Sequence, residues 1–484
     1  MNREFLLNLM FLIAINLLVK PFFIFGIDLN VQNMVGAESY GWYFSLFNFS
    51  YLFSILGDLG LQQYNNRRIA QHSYLLDKYF PTFLLIKSAL AVGLLIVAFT
   101  VAWIMQYDWA SFYLLLFLLL NQVFIGFILF FRSNISGLQH YRLDSFVSIL
   151  DKLLMIIFCS FLIWGPWQDN FRIEWFVYAQ TLAYGLAALV ALFMVMRYMK
   201  DRIQFNWRWT TIVAIIKQTL PFALTVFLMT IYLRVDGVMI ERLIPGTEGD
   251  KEAGIYAAGY RILDAVNIIG LLFANLLLPM FAKMLKDKES IVELALLSFK
   301  IIFTITVSFS ITTAFWSKSI VELMYTQNTE SIAPVLALLV FCFNIMGTSY
   351  IFGTLLTANS NMREMNRIFL VGVFLNIVSN IFLIQWYGAW GAAITTLVTQ
   401  GLIVLGQIVL VHKIFKFSFP KQLLLRMVIF VLSVIAINWL VGQWVSIHWI
   451  LAYILCGLLS VIVAIATKIL ELNSILSIFK TKTI

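Results

Sequence analysis

Charged residues are scarce in this sequence. Asp, Glu, Lys and Arg account for 12% of its 484 residues, whereas 62% are hydrophobic. So few charges cannot cover a soluble fold of this length with a polar surface, which excludes a water-soluble protein. A helix needs about 20 mainly apolar residues to cross a hydrocarbon core about 30 Å thick. The composition therefore predicts an all-α integral membrane protein with many spans.

Cysteine and catalytic motifs are lacking as well. Cys159, Cys342 and Cys456 are the only cysteines, and they lie in apolar segments without metal-ligand spacing, as small core residues do. There is no GxxxxGK phosphate loop, no HExxH, no GxSxG and no Cys/His cluster, and the loops are short. Each of these motifs supports one kind of chemistry, so we predict a protein that is not an enzyme and needs no cofactor.

The apolar runs themselves predict fourteen spans. The first contains Lys20 and Pro21 and lacks a small-residue cleavage site, so it is interpreted as a transmembrane helix and not as a signal peptide. The predicted spans are 5–25, 40–64, 81–106, 112–132, 146–165, 174–197, 216–242, 253–281, 293–316, 332–357, 366–385, 389–412, 424–443 and 448–469.

The basic residues give this map an orientation. The net charge is +9, and Lys and Arg are concentrated in the loops on the side of the N-terminus; the opposite loops contain only Arg172, Arg242, Lys251 and Lys318. By the positive-inside rule both termini are cytoplasmic. No nucleic-acid motif accompanies these residues, so no nucleic-acid partner is expected.

An internal repeat organises the spans. Three pairs of positions are 213 residues apart and a fourth pair is 220 apart: Gly41 and Gly254, Lys87 and Lys300, Trp103 and Trp316, and Gln180 and Gln400. Six spans per copy give both copies the same orientation, related by a pseudo-twofold axis along the membrane normal. We predict a six-helix lobe over 1–200, a second over 201–415, and two additional helices with a cytoplasmic tail over 416–484. The added pair either packs on the bundle or holds a lipid groove.

Charged residues inside the apolar segments mark the candidate site. Arg234, Asp236, Arg261 and Asp264 lie between Met229 and Val266, where a central charge costs roughly 2.5 to 3.5 kcal/mol. Either these charges line a polar cavity, or they neutralise one another as Arg261 and Asp264 would at i, i+3. The cavity hypothesis predicts that the arginines bind a phosphate or pyrophosphate, since the guanidinium fork suits phosphate oxygens.

Three lysines extend this hypothesis. Lys20 lies 21 residues before Gly41, much as Arg234 lies 20 before Gly254, so Lys20 is predicted to face the same cavity. Lys87 and Lys300 either extend their ammonium groups to the membrane interface or form symmetric cations at the cytoplasmic mouth. The C-terminal lobe, with two deep arginines, is expected to bind the anion more strongly.

Acidic residues are candidates for ion coupling. Asp58, Asp236 and Asp264 are predicted to bind a coupling proton or sodium ion, because a carboxylate in a low-dielectric cavity has a raised pKa unless a cation is near, as a proton-coupled site requires. Asp58 lies between Gly57 and Gly60 and has helix packing as its alternative role. Asp151, next to Lys152, is interpreted as a paired charge.

Several stretches resemble polysaccharide flippases. They are YGWYFSLFNFSYLFSILGDLGLQQYNNRRIA, FFRSNISGLQHYRLDSF, RVDGVMIERL followed by GIYAAGYRILDAV, LLLPMFAK and YGAWGAAITTLVTQ, in the expected order over about residues 1–412. The chain is similar to the O-antigen and exopolysaccharide exporters of the superfamily that includes the MATE multidrug exporters and the lipid II flippase. The resemblance implies a two-lobed alternating-access transporter of the bacterial inner membrane whose cavity cations, here Arg234 and Arg261, hold the diphosphate and sugar. The roles of Lys20, Lys87 and Lys300 are inferred from the repeat.

The substrate implied by the resemblance is an undecaprenyl-pyrophosphate-linked oligosaccharide moved to the periplasmic leaflet for lipopolysaccharide synthesis. The expected partners are membrane lipids, a polysaccharide polymerase and glycosyltransferases. Three alternatives stay open: a MATE-type multidrug antiporter, which would favour an acidic cavity; a lipid II flippase; and an integral-membrane glycosyltransferase or polymerase, which would need catalytic acids and longer outer loops.

Overall fold

The computed structural model describes residues 16, 18–62, 65, 69, 76–138, 140–199, 209–444 and 448–470. All regular secondary structure within these residues is helical, which confirms the predicted all-α fold. Eleven of the described helices are long and apolar enough to cross a membrane. The chain is therefore a multi-pass membrane protein, as its composition predicts.

The chain divides into two compact units, Met1–Gly254 and Ile255–Ile484. The predicted division at 200 and 415 follows the sequence repeat and stays a prediction. The helices of the first unit are α1 (Leu29–Phe53), α2 (Leu76–Ile104), α3 (Trp109–Gly137), α4 (Tyr141–Trp164), α5 (Ile173–Met196) and α6 (Trp209–Leu243). A π-helix (Phe23–Asp28) precedes α1, and short 3-10 helices occupy Ser54–Gly57 and Gln168–Asn170.

The second unit begins inside α7 (Thr247–Lys286). It continues with α8 (Val292–Phe315), α9 (Ser317–Met324), α10 (Thr329–Ala358), α11 (Met362–Phe415), α12 (Lys421–Trp444) and α13 (Trp449–Ala466). A change of backbone direction at Gly388, where φ is 56°, divides the 54 residues of α11. The predicted spans 366–385 and 389–412 meet at this glycine, which has no Cβ to oppose a positive φ.

The first two predicted spans are joined differently from the prediction. The sequence suggests a loop over 26–39, but the π-helix and α1 run through this region, with a kink at Gly36 (φ 81°, ψ 170°). Asn30 and Gln32 are polar residues of this segment: Asn30 Nδ2 donates 2.6 Å to the Gly26 carbonyl oxygen, and Gln32 is buried. Polar side chains that find internal partners are compatible with a buried helix.

The added helices α12 and α13 pack against α8. Val434 of α12 and Ala464 of α13 share one apolar cluster with Val307 of α8. Two hydrogen bonds supplement this packing: Asn438 Nδ2 donates to Thr312 Oγ1 at 3.3 Å, and the hydroxyls of Thr313 and Tyr453 lie 2.8 Å apart. Of the two roles considered for this pair, packing on the bundle is the one observed.

Candidate substrate site

Arg234 and Asp236 lie on α6, where it packs closely against α1. A Cβ at Gly237 would lie 2.6 Å from Asn48 Nδ2, so a larger residue at this position would displace the Asn48 side chain of α1. The Arg234 guanidinium lies 5.4 Å from the centre of the Tyr51 ring, within the range of a cation–π interaction. Asp236 is buried, with 1% of its surface exposed, and both charged residues have further interactions.

Arg261 lies on α7 in the second unit and is 5% exposed. Its Nη1 donates a hydrogen bond to the Tyr325 hydroxyl, which in turn donates to the Ala258 carbonyl oxygen at 3.1 Å. The guanidinium carbon also lies 5.6 Å from the centre of the Tyr325 ring. Tyr325 follows α9 directly and orients Arg261. Sequence reasoning missed it, because a single tyrosine 64 residues away carries no signal of this contact.

Lys87 and Asp58 form a direct ion pair. The Lys87 ammonium lies 2.6 Å from Asp58 Oδ1, and the two side chains are 2% and 23% exposed. A Cβ at Gly126 would lie 3.3 Å from Lys87 Nζ, so α3 packs tightly against the ammonium. This environment favours a role in packing for both residues. Their predicted roles in binding substrate and ion stay predictions.

Lys300 is placed differently from its repeat counterpart. It lies on α8, is half-buried, and forms no ion pair with any described residue. The position equivalent to Asp58 in the second copy is Leu271, so the acid that pairs with Lys87 has no counterpart there. Asp264 lies on α7, close enough to Tyr350 to act on its hydroxyl electrostatically.

Lys20 is half-buried in the first unit and interacts electrostatically with Asp151, Lys152 and Arg132. The sequence predicts that Asp151 and Lys152 form a pair, and their charged atoms are 3.5 Å apart. It did not connect them with Lys20, since more than 130 residues separate these positions. In the structure, Lys20 therefore has two basic neighbours, Arg132 and Lys152, that sequence reasoning missed.

An acidic pocket of about 610 Å³ lies beside the start of α3, at the opposite end of this helix from Arg132. Glu38, Asp108, Glu241 and Asp250 line it, together with one cation, Arg242. The Arg242 Nε lies 3.1 Å from Glu241 Oε2, and the guanidinium carbon lies 3.5 Å from the centre of the Tyr107 ring.

Tyr107 lies in the turn between α2 and α3, with its ring against the Arg242 guanidinium. Burial, reinforced by the Glu241 carboxylate, raises the pKa of its hydroxyl to about 12. Tyr107 is therefore neutral at physiological pH. The excess of carboxylates makes this pocket unfavourable for a phosphate group.

Comparison with known proteins adds a family and a fold. A family model described as polysaccharide biosynthesis protein matches residues 5–285. The search of curated proteins found no significant match. A structure of the lipid II flippase MurJ in an inward closed conformation superposes with a TM-score of 0.71 at 14% identity, covering 96% of this chain and 98% of that one.

Multidrug transporters superpose over a smaller share of the chain. An inward-facing multidrug resistance MATE family transporter of the MOP superfamily gives a TM-score of 0.60 at 14% identity, covering 82% of this chain and 96% of that one. A variant of the Vibrio cholerae MATE transporter VcmN gives 0.60 at 13%, covering 84% and 95%. At such identities the likeness shows a shared fold.

Proposed function

We propose, on the premise that this chain belongs to the polysaccharide biosynthesis protein family, that it is a flippase of the bacterial inner membrane. It moves undecaprenyl-pyrophosphate-linked oligosaccharide units from the cytoplasmic to the periplasmic leaflet by alternating access, as a step in O-antigen and lipopolysaccharide synthesis. The family match carries this proposal, because it links a multi-pass membrane fold to polysaccharide assembly. Both termini lie in the cytoplasm, as the distribution of basic residues predicts.

The task of such a protein follows from solvation. A diphosphate-sugar head cannot enter about 30 Å of hydrocarbon without a large desolvation cost, whereas its prenyl tail is already soluble there. The protein therefore needs to shelter only the head, and it performs no covalent chemistry. Cationic side chains inside apolar helices, such as the nearly buried Arg261, suit an anionic head.

The five residues proposed to contact the substrate are supported to different degrees by their motifs and their surroundings. Arg234 and Arg261 are the principal candidates, since both lie in the motifs that resemble the flippases and both keep a guanidinium against an aromatic ring. Lys20 and Lys300 are secondary candidates. Lys87 is the weakest, because Asp58 holds its ammonium and almost none of its surface is exposed.

Asp236 and Asp264 are proposed to bind the coupling proton or sodium ion. Both lie on the helices that carry the two arginines, so a change in their charge would act directly on the substrate site. Asp58 is less suited, because its carboxylate is held in an ion pair with the Lys87 ammonium. A polymerase and glycosyltransferases are the proposed partners, since they would use and supply the transported unit.

A lipid II flippase is the second candidate function. MurJ, whose name gives that activity, is matched by 96% of this chain, whereas the two MATE structures are matched by 82% and 84%. This fuller match supports a lipid-linked substrate over a soluble drug. The four carboxylates that would suit a cationic drug, those of Glu38, Asp108, Glu241 and Asp250, line a pocket to which neither Arg234 nor Arg261 contributes.

Substitution of the two arginines tests the proposed site. Arg234→Ala and Arg261→Ala should each reduce surface glycan by roughly tenfold or more, the effect of losing a hydrogen bond to a charged group, while protein remains in the membrane. Arg172→Ala, in an exposed loop, is the matched control. Export at the control level in both variants would refute the site.

The substrate class is tested in cells that lack the protein. They should accumulate lipid-linked repeat units in the cytoplasmic leaflet, because synthesis continues while transfer stops. Accumulation of lipid II instead would support the second candidate. Normal levels of both lipids, with raised sensitivity to cationic drugs, would contradict both flippase functions.

A further inference from the structure

A cluster of charged residues in the first unit contains, besides Lys20, residues that have no role in the sequence-based site. It is centred on Lys152 of α4, whose Nζ donates to the Tyr184 hydroxyl at 2.9 Å and lies 3.5 Å from Asp151 Oδ2. The same ammonium lies 4.8 Å from the centre of the Phe23 ring and 5.0 Å from that of Tyr184. The π-helix Phe23–Asp28, α4 and α5 therefore meet at the Lys152 ammonium.

Arg132 and Lys20 complete this cluster. Arg132 Nε and Nη2 donate to the two carboxylate oxygens of Asp144 at 2.8 and 3.3 Å, which joins the end of α3 to the start of α4. Lys20 interacts electrostatically with Arg132, Lys152 and Asp151. The three cations exceed the two carboxylates by one charge, so the cluster attracts anions.

The cluster is accessible along part of its length. The side chains of Lys152 and Arg132 are 23% and 24% exposed, and that of Asp151 is 19% exposed. Charges on membrane-spanning helices face a water-filled space or one another, because contact with lipid is costly. Lys152 follows Asp144 by eight residues on α4, about 12 Å at the helical rise. The cluster therefore reaches inward from the predicted cytoplasmic end.

The backbone beside the cluster is irregular in a way that supports a function. Phe23, whose ring lies under the Lys152 ammonium, is the first residue of the π-helix Phe23–Asp28, and Pro21 precedes it. Short π segments occur frequently at functional sites, because the extra residue in the turn redirects side chains. Here that turn presents an aromatic face to a cation from another helix.

We propose that Lys20, Arg132 and Lys152 form a diphosphate-binding subsite in the first unit. The assignment rests on the proposed function and excludes Lys87, whose side chain is 2% exposed, whereas those of Lys152 and Arg132 are 23% and 24% exposed. Arg132 offers a planar fork to phosphate oxygens, and the two lysines add positive charge. The incoming diphosphate competes with Asp144 and Asp151 for these cations, which allows binding to be reversible.

Binding of farnesyl diphosphate to the full-length protein in nanodiscs tests this subsite. Lys152→Gln and Arg132→Gln should each weaken the affinity roughly 10- to 100-fold, as expected for loss of a bond to a charged group. Lys217→Gln, which removes an exposed lysine predicted to lie on the same membrane side, should bind like the wild type. Lys152→Arg, which keeps the charge, should retain most of the affinity.

Asp144→Asn separates binding from a structural role. It removes a competing carboxylate, so it should tighten farnesyl diphosphate binding several-fold, an effect that loss of structure does not produce. Farnesol should not compete with the probe, whereas inorganic pyrophosphate should.

Three outcomes would overturn the assignment. Unchanged affinity in Lys152→Gln and Arg132→Gln, or weaker binding in Asp144→Asn, would remove these residues from the site while leaving the flippase proposal intact. Displacement of the probe by phosphatidylglycerol as effective as that by pyrophosphate would assign the cluster to ordinary lipid headgroups. Absence of farnesyl diphosphate binding by the wild-type protein would instead count against the proposed function itself.

Discussion

Equivalent residues in the two sequence copies have acquired different environments. Lys87 and Lys300 occupy the same position in the repeat, yet Lys87 is paired with Asp58 whereas the corresponding residue in the second copy is Leu271. Breaking a buried ion pair is costly because the remaining charge has lost its compensation. Lys87 is the more deeply buried of the two residues, so removing Asp58 should destabilise the protein more than removing Lys87.

This asymmetry predicts the stability of single variants. Asp58→Leu should lower the free energy of unfolding by about 3 kcal/mol or more, since it leaves the nearly inaccessible Lys87 ammonium without its partner. Denaturant unfolding of the purified protein in detergent measures the change. The double variant with Lys87→Met should recover most of the loss, and Lys300→Met should cost little. Equal effects of Asp58→Leu and Lys300→Met would contradict the structural role of the pair.

At the scale of elements, glycines determine how closely helices approach. A Cβ at Gly41 of α1 would lie within 3.0 Å of the Asp250 backbone, and one at Gly254 within 3.0 Å of the Ala37 backbone. Gln32 Nε2 donates 2.9 Å to the Gly254 carbonyl oxygen beside this contact. The glycines that revealed the repeat therefore pack the middle of α1 and the first part of α7 backbone to backbone, as small residues do in membrane proteins.

Substitution of either glycine should separate the two segments. Gly41→Ala and Gly254→Ala are each expected to cost about 1 to 3 kcal/mol through overpacking, measured as a lowered thermal midpoint. Gly442→Ala is the control, because its Cβ would meet nothing within 4 Å; it should be neutral or stabilise α12 by up to about 1 kcal/mol. A midpoint equal to that of the control would show that the backbones do not approach this closely.

Over the whole first unit, charge is polarised along α3. The acidic pocket includes Asp108 and Ser111 near the start of the helix, whereas Arg132 lies near its end. The 21 residues from Ser111 to Arg132 span about 32 Å, close to the thickness of a hydrocarbon core. The basic end coincides with the predicted cytoplasmic side, where an anionic substrate would enter.

The predicted orientation is tested by cysteine labelling in intact cells. A membrane-impermeant maleimide should label Thr247→Cys without permeabilisation, because this exposed position is predicted to be periplasmic. Ser290→Cys, also exposed, should react only after permeabilisation. The native cysteines are buried and provide an unlabelled control. The reverse pattern would invert the topology and with it the proposed direction of transport.

The sequence predicted single residues less well than helices. Arg261 was recognised as an anomaly because one charge in an apolar run is visible locally, but its contact with Tyr325 spans 64 residues. Likewise, Lys152 and Asp151 are sequence neighbours, whereas Lys20 and Tyr184 reach them only through the packing of other helices. A local sequence pattern shows that a charged residue lies in an apolar segment, but it does not identify the distant residue that interacts with it.

By itself, the sequence determined the all-α membrane fold, the positions of most spans and the family resemblance. These properties depend on hydrophobicity summed over about 20 residues and on ordered motifs, which are local quantities. Only the tertiary structure decided that Lys87 is bound to Asp58, that Lys20 lies with Arg132 and Lys152, and that α12 and α13 pack on α8. These outcomes depend on which helices become neighbours, and hydrophobic periodicity does not specify neighbours in a bundle where every helix is apolar.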